Sequence, residues 1–287
     1  MYVIAGVSGN TGSVAASTLL ADKQPVRVIV RDAAKGEPWK AKGAEVAVAS
    51  LEDRAALTRA LTGAKGAYLL LPPPGWGATG IAADRARYAE SIVGAVRDAR
   101  PGHVVLLSSI GAHLASGTGP IQYLHPIEHG LRESGVPSTF LRAGAFIENW
   151  AGVTKGAIDG GTLYYGLRSD VKFPQVATTD IGRTAAKLLV EGPAGVRVVN
   201  LAGPAEQSLA DVAAALGKIA GKSITAVTVP PQAQLDALVG MGASKELASS
   251  YVEMTDAINA GRLVWESTSF VRGSVTLEQR LRELLAK

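Results

Sequence analysis

A glycine-rich segment, GVSGNTG at residues 6–12, directly follows an apolar run at the start of the chain. Glycines there allow a tight turn and close approach of the backbone to a phosphate, and a following helix presents free N–H groups and the positive end of its dipole. The strand, the glycines and the predicted helix come in the required order. We therefore predict a loop that binds the pyrophosphate of a dinucleotide, the alternative being a structural turn. The residues that would form it are Gly6, Ser8, Gly9, Asn10, Thr11 and Gly12.

The end of the second predicted strand discriminates between the two nicotinamide cofactors. NAD sites usually place a carboxylate on the ribose about 20 residues after the glycines, whereas NADP sites accommodate the 2′-phosphate with arginine. Here Arg31 follows Gly9 by 22 residues, and Lys35 comes close behind. A guanidinium can bind a phosphate with two hydrogen bonds, and the lysine adds a charge. The pattern favours NADP (NADPH). In another register Asp32 could serve the ribose of NAD, and both cations could simply be solvated.

Metal chemistry has one candidate pattern in the sequence. His125, Glu128 and His129 form H-x-x-E-H, the inverted zinc-protease signature. Pro126 marks the first turn of a predicted helix, where a common face for the two imidazoles is only beginning to form. The absence of cysteine excludes disulfides, thiol catalysis and cysteine-ligated metal. We predict no metal site.

Short apolar runs alternate with helical patterns through the first half of the chain. The runs are nearly continuous, which is typical of strands buried on both faces of a parallel sheet. The intervening segment Ile81–Ala99 has apolar residues at helical spacing. Alternation of this kind predicts an α/β fold with a doubly wound parallel sheet, the Rossmann fold. The predicted strands are Tyr2–Ala5, Val26–Val30, Glu45–Val48, Ala67–Leu71 and Val104–Leu107.

The regular alternation of strand and helix patterns ends after about residue 145. A helix around 126–134 and a strand at 138–141 still continue the pattern. Beyond them, we expect Thr179 to N-cap a helix through Val190, followed by a sheet strand at 196–201. We predict a dinucleotide-binding domain at 1–145, which the chain re-enters at about 177–220. A smaller, mainly helical lobe on the substrate side would comprise 146–176 and 221–287, with a cleft between the two.

Charge and hydropathy limit the partners. The net charge is +4 and the pI about 9.3, yet the sequence has no run of lysine or arginine. This suits a basic cleft for a phosphorylated small molecule better than a nucleic-acid surface. The N-terminus lacks the pattern of a signal peptide, and no stretch of 18 apolar residues follows. We expect a cytoplasmic protein that binds neither membrane nor nucleic acid. Whether it forms a homodimer or binds a protein partner is left open.

Several segments together resemble a known family. GVSGNTG resembles the pattern G-x-x-G-x-T-G, and VRVIVRDAAK at 26–35 resembles V-R-x-x-V-R-[DN]-x-x-K. Residues 128–149 resemble E-x-x-L-x-x-S-G-[VIL]-x-x-T-x-L-R-x-G-x-F-x-E-N, and 201–204 resemble an L-x-G-P turn. The chain is thus similar, to about residue 220, to the NmrA-like branch of atypical short-chain dehydrogenases, which includes the NAD(P)H:quinone reductase-like members.

The resemblance implies further cofactor contacts. Leu71 and Pro72 begin a segment similar to the one that walls the nicotinamide ribose in this family. Ser108 closes the fifth strand at the edge where ligands bind, although serine is common at such strand ends. Gly144 and Phe146 belong to the matching motif. One departure is Ser50, which stands where many members have an aspartate that meets the adenine.

The catalytic position departs more seriously. The lysine or histidine of the family falls at Leu124, and Tyr123 lacks a lysine four residues later, since Ile127 stands there. The usual acid pair is therefore absent. His125 is the candidate for orienting substrate or donating a proton, the alternative being a histidine at a helix start or on the surface.

Two functions follow from the resemblance and its gap. One is an NADPH-dependent oxidoreductase that transfers hydride to a quinone or a similar conjugated carbonyl, because such acceptors need mainly a hydride donor held close. The other is a non-catalytic NAD(P)-sensing regulatory protein of the NmrA type, which would pass cofactor occupancy to a protein partner.

Overall fold

The computed structural model describes residues 1–267 and 270–286. Three short 3-10 segments in this part are Ala33–Gly36, Gly119–Leu124 and Ile147–Trp150. The strands are β1 Tyr2–Ile4, β2 Val26–Val30, β3 Glu45–Val48, β4 Gly66–Leu70, β5 Val104–Ser109, β6 Ser138–Ala143, β7 Ala145–Phe146, β8 Thr162–Tyr165, β9 Phe173–Val176, β10 Val196–Ala202, β11 Glu206–Gln207, β12 Thr225–Thr228 and β13 Phe270–Arg272. The helices are α1 Asn10–Ala21, α2 Glu37–Lys40, α3 Arg54–Leu61, α4 Ile81–Ala99, α5 His125–Arg132, α6 Ala151–Gly160, α7 Thr178–Glu191, α8 Leu209–Ala220, α9 Pro231–Gly240, α10 Lys245–Asn259 and α11 Leu277–Leu285.

The main sheet is parallel and doubly wound. Its strand order in the described residues is β13-β10-β6-β5-β4-β1-β2-β3. The chain winds outward from β1 to β3, then crosses back to β4 and continues in the other direction. The order reverses between β1 and β4, and open α/β sheets bind ligands at such a reversal. The predicted Rossmann fold is confirmed.

Helices cover both faces of this sheet. On β5, Val104 and Leu106 pack in the layer under α3, α4 and α5, whereas Val105 packs in the opposite layer with α1 and α7. Because both faces are buried, consecutive residues of a strand are apolar, which accounts for the continuous runs in the sequence. The predicted bounds of β2, β3 and α4 agree with the structure, and the other predicted strands of the first half differ by one or two residues.

Helix α7 begins differently from the prediction. Its N-cap position is Ala177 rather than Thr179, and no side chain of its own segment caps it. Instead the carboxylate of Glu148 accepts hydrogen bonds from the Thr178 amide at 3.0 and 3.1 Å and from its hydroxyl at 2.6 Å. Glu148 also pairs with Arg280 at 2.6 Å. A capping group 30 residues away is not visible in a local sequence pattern.

The second lobe has its own apolar core, which involves more of the chain than predicted. Helix α8 packs there through Leu209, Val212 and Leu216, so re-entry into the Rossmann sheet comprises α7 and β10 and ends before residue 209 rather than near 220. The C-terminal segment also returns to the main sheet, because β13 pairs in parallel with β10. Residues 221–287 are therefore not confined to the lobe. In the described part no helix has both the length and the hydropathy to cross a membrane.

Candidate dinucleotide and acceptor cleft

A cleft of about 1130 Å³ lies along the carboxyl edge of the main sheet and extends into the lobe. Ligand pockets typically measure about 300–1,000 Å³, so the cleft has room for a large ligand with a smaller molecule beside it. Each strand from β1 to β6 contributes residues at or just past its end. Of the predicted cofactor contacts, those that line it are Gly6, Ser8, Gly9, Asn10, Thr11, Arg31, Leu71, Pro72, Ser108, Gly144 and Phe146.

The three glycines of the loop meet three different demands. Gly6 has a φ of +69°, and a Cβ there would lie 2.5 Å from Leu70 Cδ2. A Cβ on Gly12 would lie 2.4 Å from the carbonyl oxygen of Ala5, so Gly12 permits close packing of α1 on β1 without lining the cleft. Gly9 has extended backbone, and its Cβ would meet only the Gly6 carbonyl oxygen, at 3.4 Å. The space beside Gly9 is thus open to the cleft, as close approach of a phosphate to the backbone requires.

The amino end of α1 faces this space. No side-chain hydrogen bond caps this helix, which leaves N–H groups of the first turn for a ligand. The Thr11 hydroxyl accepts a hydrogen bond of 2.9 Å from the Tyr68 hydroxyl. Burial raises the pKa of Tyr68, so its hydroxyl remains protonated and able to donate. This bond holds the first turn of α1 against β4, and the fit supports an anionic ligand here.

The residues after β2 separate into two roles. Arg31 is exposed and lines the cleft. The Asp32 carboxylate accepts a hydrogen bond of 3.0 Å from the Ala34 amide and caps the 3-10 turn 33–36. Asp32 is therefore committed to the turn, which weakens its alternative role on the ribose of NAD. Lys35 lies in the same exposed turn, outside the cleft lining.

The Ser108 hydroxyl is engaged away from the cleft. It donates a 2.5 Å hydrogen bond to Glu128 Oε1, and Glu128 forms a two-bond pair with Arg142. All three side chains are buried, and Arg142 also pairs with Glu266. Burial opposes the charge of Arg142, but these carboxylates raise the pKa of its guanidinium. The predicted nicotinamide contact of the Ser108 side chain thus conflicts with its place in this network. Glu128 likewise belongs to an ion pair rather than to a histidine cluster.

The structure does not bring His125 into the cleft. His125 is the first residue of α5, and its Nδ1 lies 3.3 Å from the carbonyl oxygen of Ala112. Tyr123 and Leu124, from the preceding 3-10 turn, line the cleft instead. Burial, with the charges of Glu246 and Glu253, raises the pKa of Tyr123, so it keeps its proton at neutral pH. The sequence contains no signal for Tyr123, because the only motif that would mark it, Tyr-x-x-x-Lys, is absent.

The far half of the cleft is apolar and comes mostly from the lobe. Helix α10 presents apolar residues at helical spacing to the cleft. In the sequence this spacing indicates an amphipathic helix but does not show what the apolar face contacts. No sequence motif marks these side chains. They include Phe173, Leu247, Tyr251, Met254, Ile258 and Trp265.

These features define a Rossmann protein with a glycine-rich loop before α1 and an apolar compartment beside it in the same cleft. Residues 2–279 match the NmrA-like family, and the chain belongs to that family, which confirms the resemblance found in the motifs. It is 27% identical to an NAD(P)H azoreductase of Xenophilus azovorans over 254 residues, 88% of this chain and 86% of that one. It is 26% identical to quinone oxidoreductase 2 of Escherichia coli over 269 residues, covering 93% and 91%. The crystal structure of an NADPH-dependent quinone oxidoreductase, QOR2, from Escherichia coli with NADPH matches with a TM-score of 0.85 at 26% identity, covering 99% of this chain and all of that one.

Proposed function

We propose that this chain is an NADPH-dependent oxidoreductase that delivers hydride to a quinone or a similarly conjugated carbonyl compound. The observation that carries the proposal is a single cleft in which the glycine loop and Arg31 lead into an apolar compartment. The names of the relatives support the same activity, since one is an NAD(P)H azoreductase and another a quinone oxidoreductase.

The residues of the cofactor half have separable tasks in this proposal. The amides around Gly9 and the first turn of α1 bind the pyrophosphate, and Arg31 pairs with the 2′-phosphate. Leu71, Pro72, Gly144 and Phe146 flank the nicotinamide end. Bound NADPH supplies the hydride. The apolar walls exclude water from the space in which the acceptor lies.

Proton supply requires little from the protein. Hydride addition leaves a negative charge on the acceptor oxygen, and a proton must then reach that oxygen. A quinone is already strongly electrophilic, so the Tyr123 hydroxyl in the cleft, or solvent after the reduced product has left, suffices as the source. His125 is held at the Ala112 carbonyl, outside the cleft lining, and has at most an indirect part.

Replacement of Arg31 by alanine tests the cofactor preference. We expect Arg31→Ala to weaken NADPH binding by about 1.5–3 kcal/mol, the range for a hydrogen bond to a charged group, and to leave NADH binding nearly unchanged. Lys35→Ala is the matched control and should have a smaller effect, because Lys35 lies outside the cleft lining. Calorimetric titration of each variant with both cofactors measures this. Equal losses for NADPH and NADH would contradict the assignment.

Turnover itself tests the proposed reaction. We expect loss of NADPH absorbance with a panel of quinones and hardly any with simple ketones. In the opposite direction we expect hardly any NADP⁺ reduction by secondary alcohols, since both of these reactions need the missing acid pair. General acid catalysis typically contributes about 10²–10⁴-fold, and we expect His125→Ala to lower kcat for quinones by roughly tenfold or less. Fast reduction of an unactivated ketone would contradict the mechanism. Tight NADPH binding without turnover of any quinone would contradict the proposal and favour the NAD(P)-sensing alternative.

A further inference from the structure

Two segments far apart in sequence are joined beside the cleft. One is the loop 72–80 after β4, and the other is the segment 241–246, which comprises the turn after α9 and the first two residues of α10. The indole of Trp76 donates to the Met241 carbonyl at 2.8 Å, and the Ser244 amide donates to the Trp76 carbonyl at 3.0 Å. The Ser244 hydroxyl donates to the Ala78 carbonyl at 2.5 Å. We call these two joined segments the clasp.

Glu246 completes the clasp at the amino end of α4. Its Oε2 accepts a hydrogen bond of 2.7 Å from the Gly80 amide, and its Oε1 accepts one of 2.8 Å from the Ile81 amide. A carboxylate is favourable there, because it satisfies orphan amides and complements the helix dipole. Below it, Ile81 is buried with Leu247 and Ala248. A single lobe residue therefore caps a helix of the Rossmann domain.

The clasp connects the two halves of the cleft. On one side, residues 72–74 of the loop line the cleft beside the end of β4. On the other, α10 presents Leu247, Tyr251 and Met254 to the apolar compartment, and the Tyr251 ring lies 6.4 Å from that of Trp76. Any shift of α10 against the loop would change the distance between the two halves.

We propose that Glu246 is a positioning residue that sets the approach of the acceptor to the hydride donor. The inference rests on the proposed function. The cleft offers no histidine or lysine in the family's catalytic position, so the rate depends mainly on how closely donor and acceptor are held. Misplacement by 1 Å through a change far from the reacting atoms can cost about 10²-fold in rate.

Three variants separate positioning from stability. With Glu246→Ala we expect the Kd for NADPH to stay close to wild type, while kcat/KM for the quinone falls between about tenfold and hundredfold. Glu246→Gln should restore part of that loss, because its amide oxygen still accepts one of the two N–H groups. Lys245→Ala, at the exposed neighbour of Glu246, should match wild type. The measurements are calorimetric titration with NADPH, steady-state kinetics with the quinone, and Tm.

The outcomes distinguish this inference from the proposed function. Wild-type protein that binds NADPH but reduces no quinone contradicts the proposed function. If wild type reduces the quinone and Glu246→Ala has the same kcat/KM, the role of Glu246 is contradicted alone. If Glu246→Ala lost NADPH affinity by the same factor as kcat/KM, the role of Glu246 would also be contradicted, since the clasp would then merely hold the cofactor loop. If Glu246→Ala does not fold, Ser244→Ala replaces it with the same expectation for the quinone. It removes the bond to the Ala78 carbonyl and the 3.1 Å N-cap bond from the Leu247 amide, so its Tm is compared with that of wild type.

Discussion

Replacement of Gly9 by valine is expected to abolish detectable binding of both NADPH and NADH while the protein remains folded. The backbone at Gly9 is extended, and any residue adopts that conformation. A side chain there would meet little protein, because the nearest atom to a Cβ is the Gly6 carbonyl oxygen at 3.4 Å. It would instead occupy the space in which we propose that the pyrophosphate approaches the backbone. We expect at least a hundredfold loss of affinity, about 2.7 kcal/mol or more.

Two matched glycine variants complete this experiment. Gly152 lies on the exposed face of helix α6, where a Cβ has no neighbour within 4 Å, and the Gly152→Val variant should bind both cofactors like wild type. Gly12→Ala should instead lower Tm, since its Cβ would lie 2.4 Å from the Ala5 carbonyl oxygen. Titration calorimetry and thermal unfolding of all three report both effects. Wild-type affinity in folded Gly9→Val would place the phosphate site elsewhere.

Among the substitutions considered, removal of the Glu128 carboxylate is expected to lower the free energy of unfolding the most. Arg142 is 2% exposed and forms its two-bond pair with Glu128, which also accepts from Ser108. Glu128→Ala leaves the buried guanidinium with the half-exposed Glu266 as its remaining carboxylate partner among the described residues. Breaking a buried pair at one partner typically costs about 3–5 kcal/mol, and we expect that loss in the free energy of unfolding measured by urea denaturation.

A surface glutamate and a double variant are the controls. Glu133 follows the same helix, is exposed, and has ion-pair distances of 3.6 Å to Arg97 and 3.7 Å to His129. Such pairs are worth about 0–1 kcal/mol, so Glu133→Ala should cost no more than that. The double variant Glu128→Leu with Arg142→Met removes both buried charges, and its free energy of unfolding should be close to that of wild type. A loss in Glu128→Ala no larger than in Glu133→Ala would mean that the pair contributes little.

Much of the cofactor half could be predicted from local patterns. The run Val26–Val30 and the helical repeat Ile81–Ala99 have the bounds that the structure has, because burial on one or both faces of an element imposes its period on the sequence. The bounds of the edge strand Glu45–Val48 also agree, although its residues are only partly buried or exposed. The glycine loop was equally visible, since its turn, its helix start and its packing each require a small residue at a fixed spacing.

Other roles depended on how one turn folds. Asp32 could be read from the sequence as a ribose ligand, and only the 3-10 turn shows that its carboxylate caps Ala34. His125 and Tyr123 are two residues apart, yet the 3-10 turn at 119–124 places Tyr123 in the cleft and leaves His125 at the Ala112 carbonyl. Small differences in backbone dihedral angles decide which of these side chains faces the cleft, and no periodic pattern in the sequence predicts them.

The sequence by itself determined the parallel sheet and the position of the glycine loop at the start of α1, and it supplied the prediction that Arg31 favours NADP. The tertiary structure decided what meets across long separations. Glu246 caps a helix that begins 165 residues earlier, Glu148 caps one 30 residues later, and β13 returns to the sheet beside β10. The apolar compartment also depends on such long-range packing. In the sequence, the apolar face of α10 looks like any buried helix face, and only the packing of the lobe shows that it borders a cleft. Local propensity is encoded in neighbouring residues, whereas a cleft between two lobes exists only after both have packed.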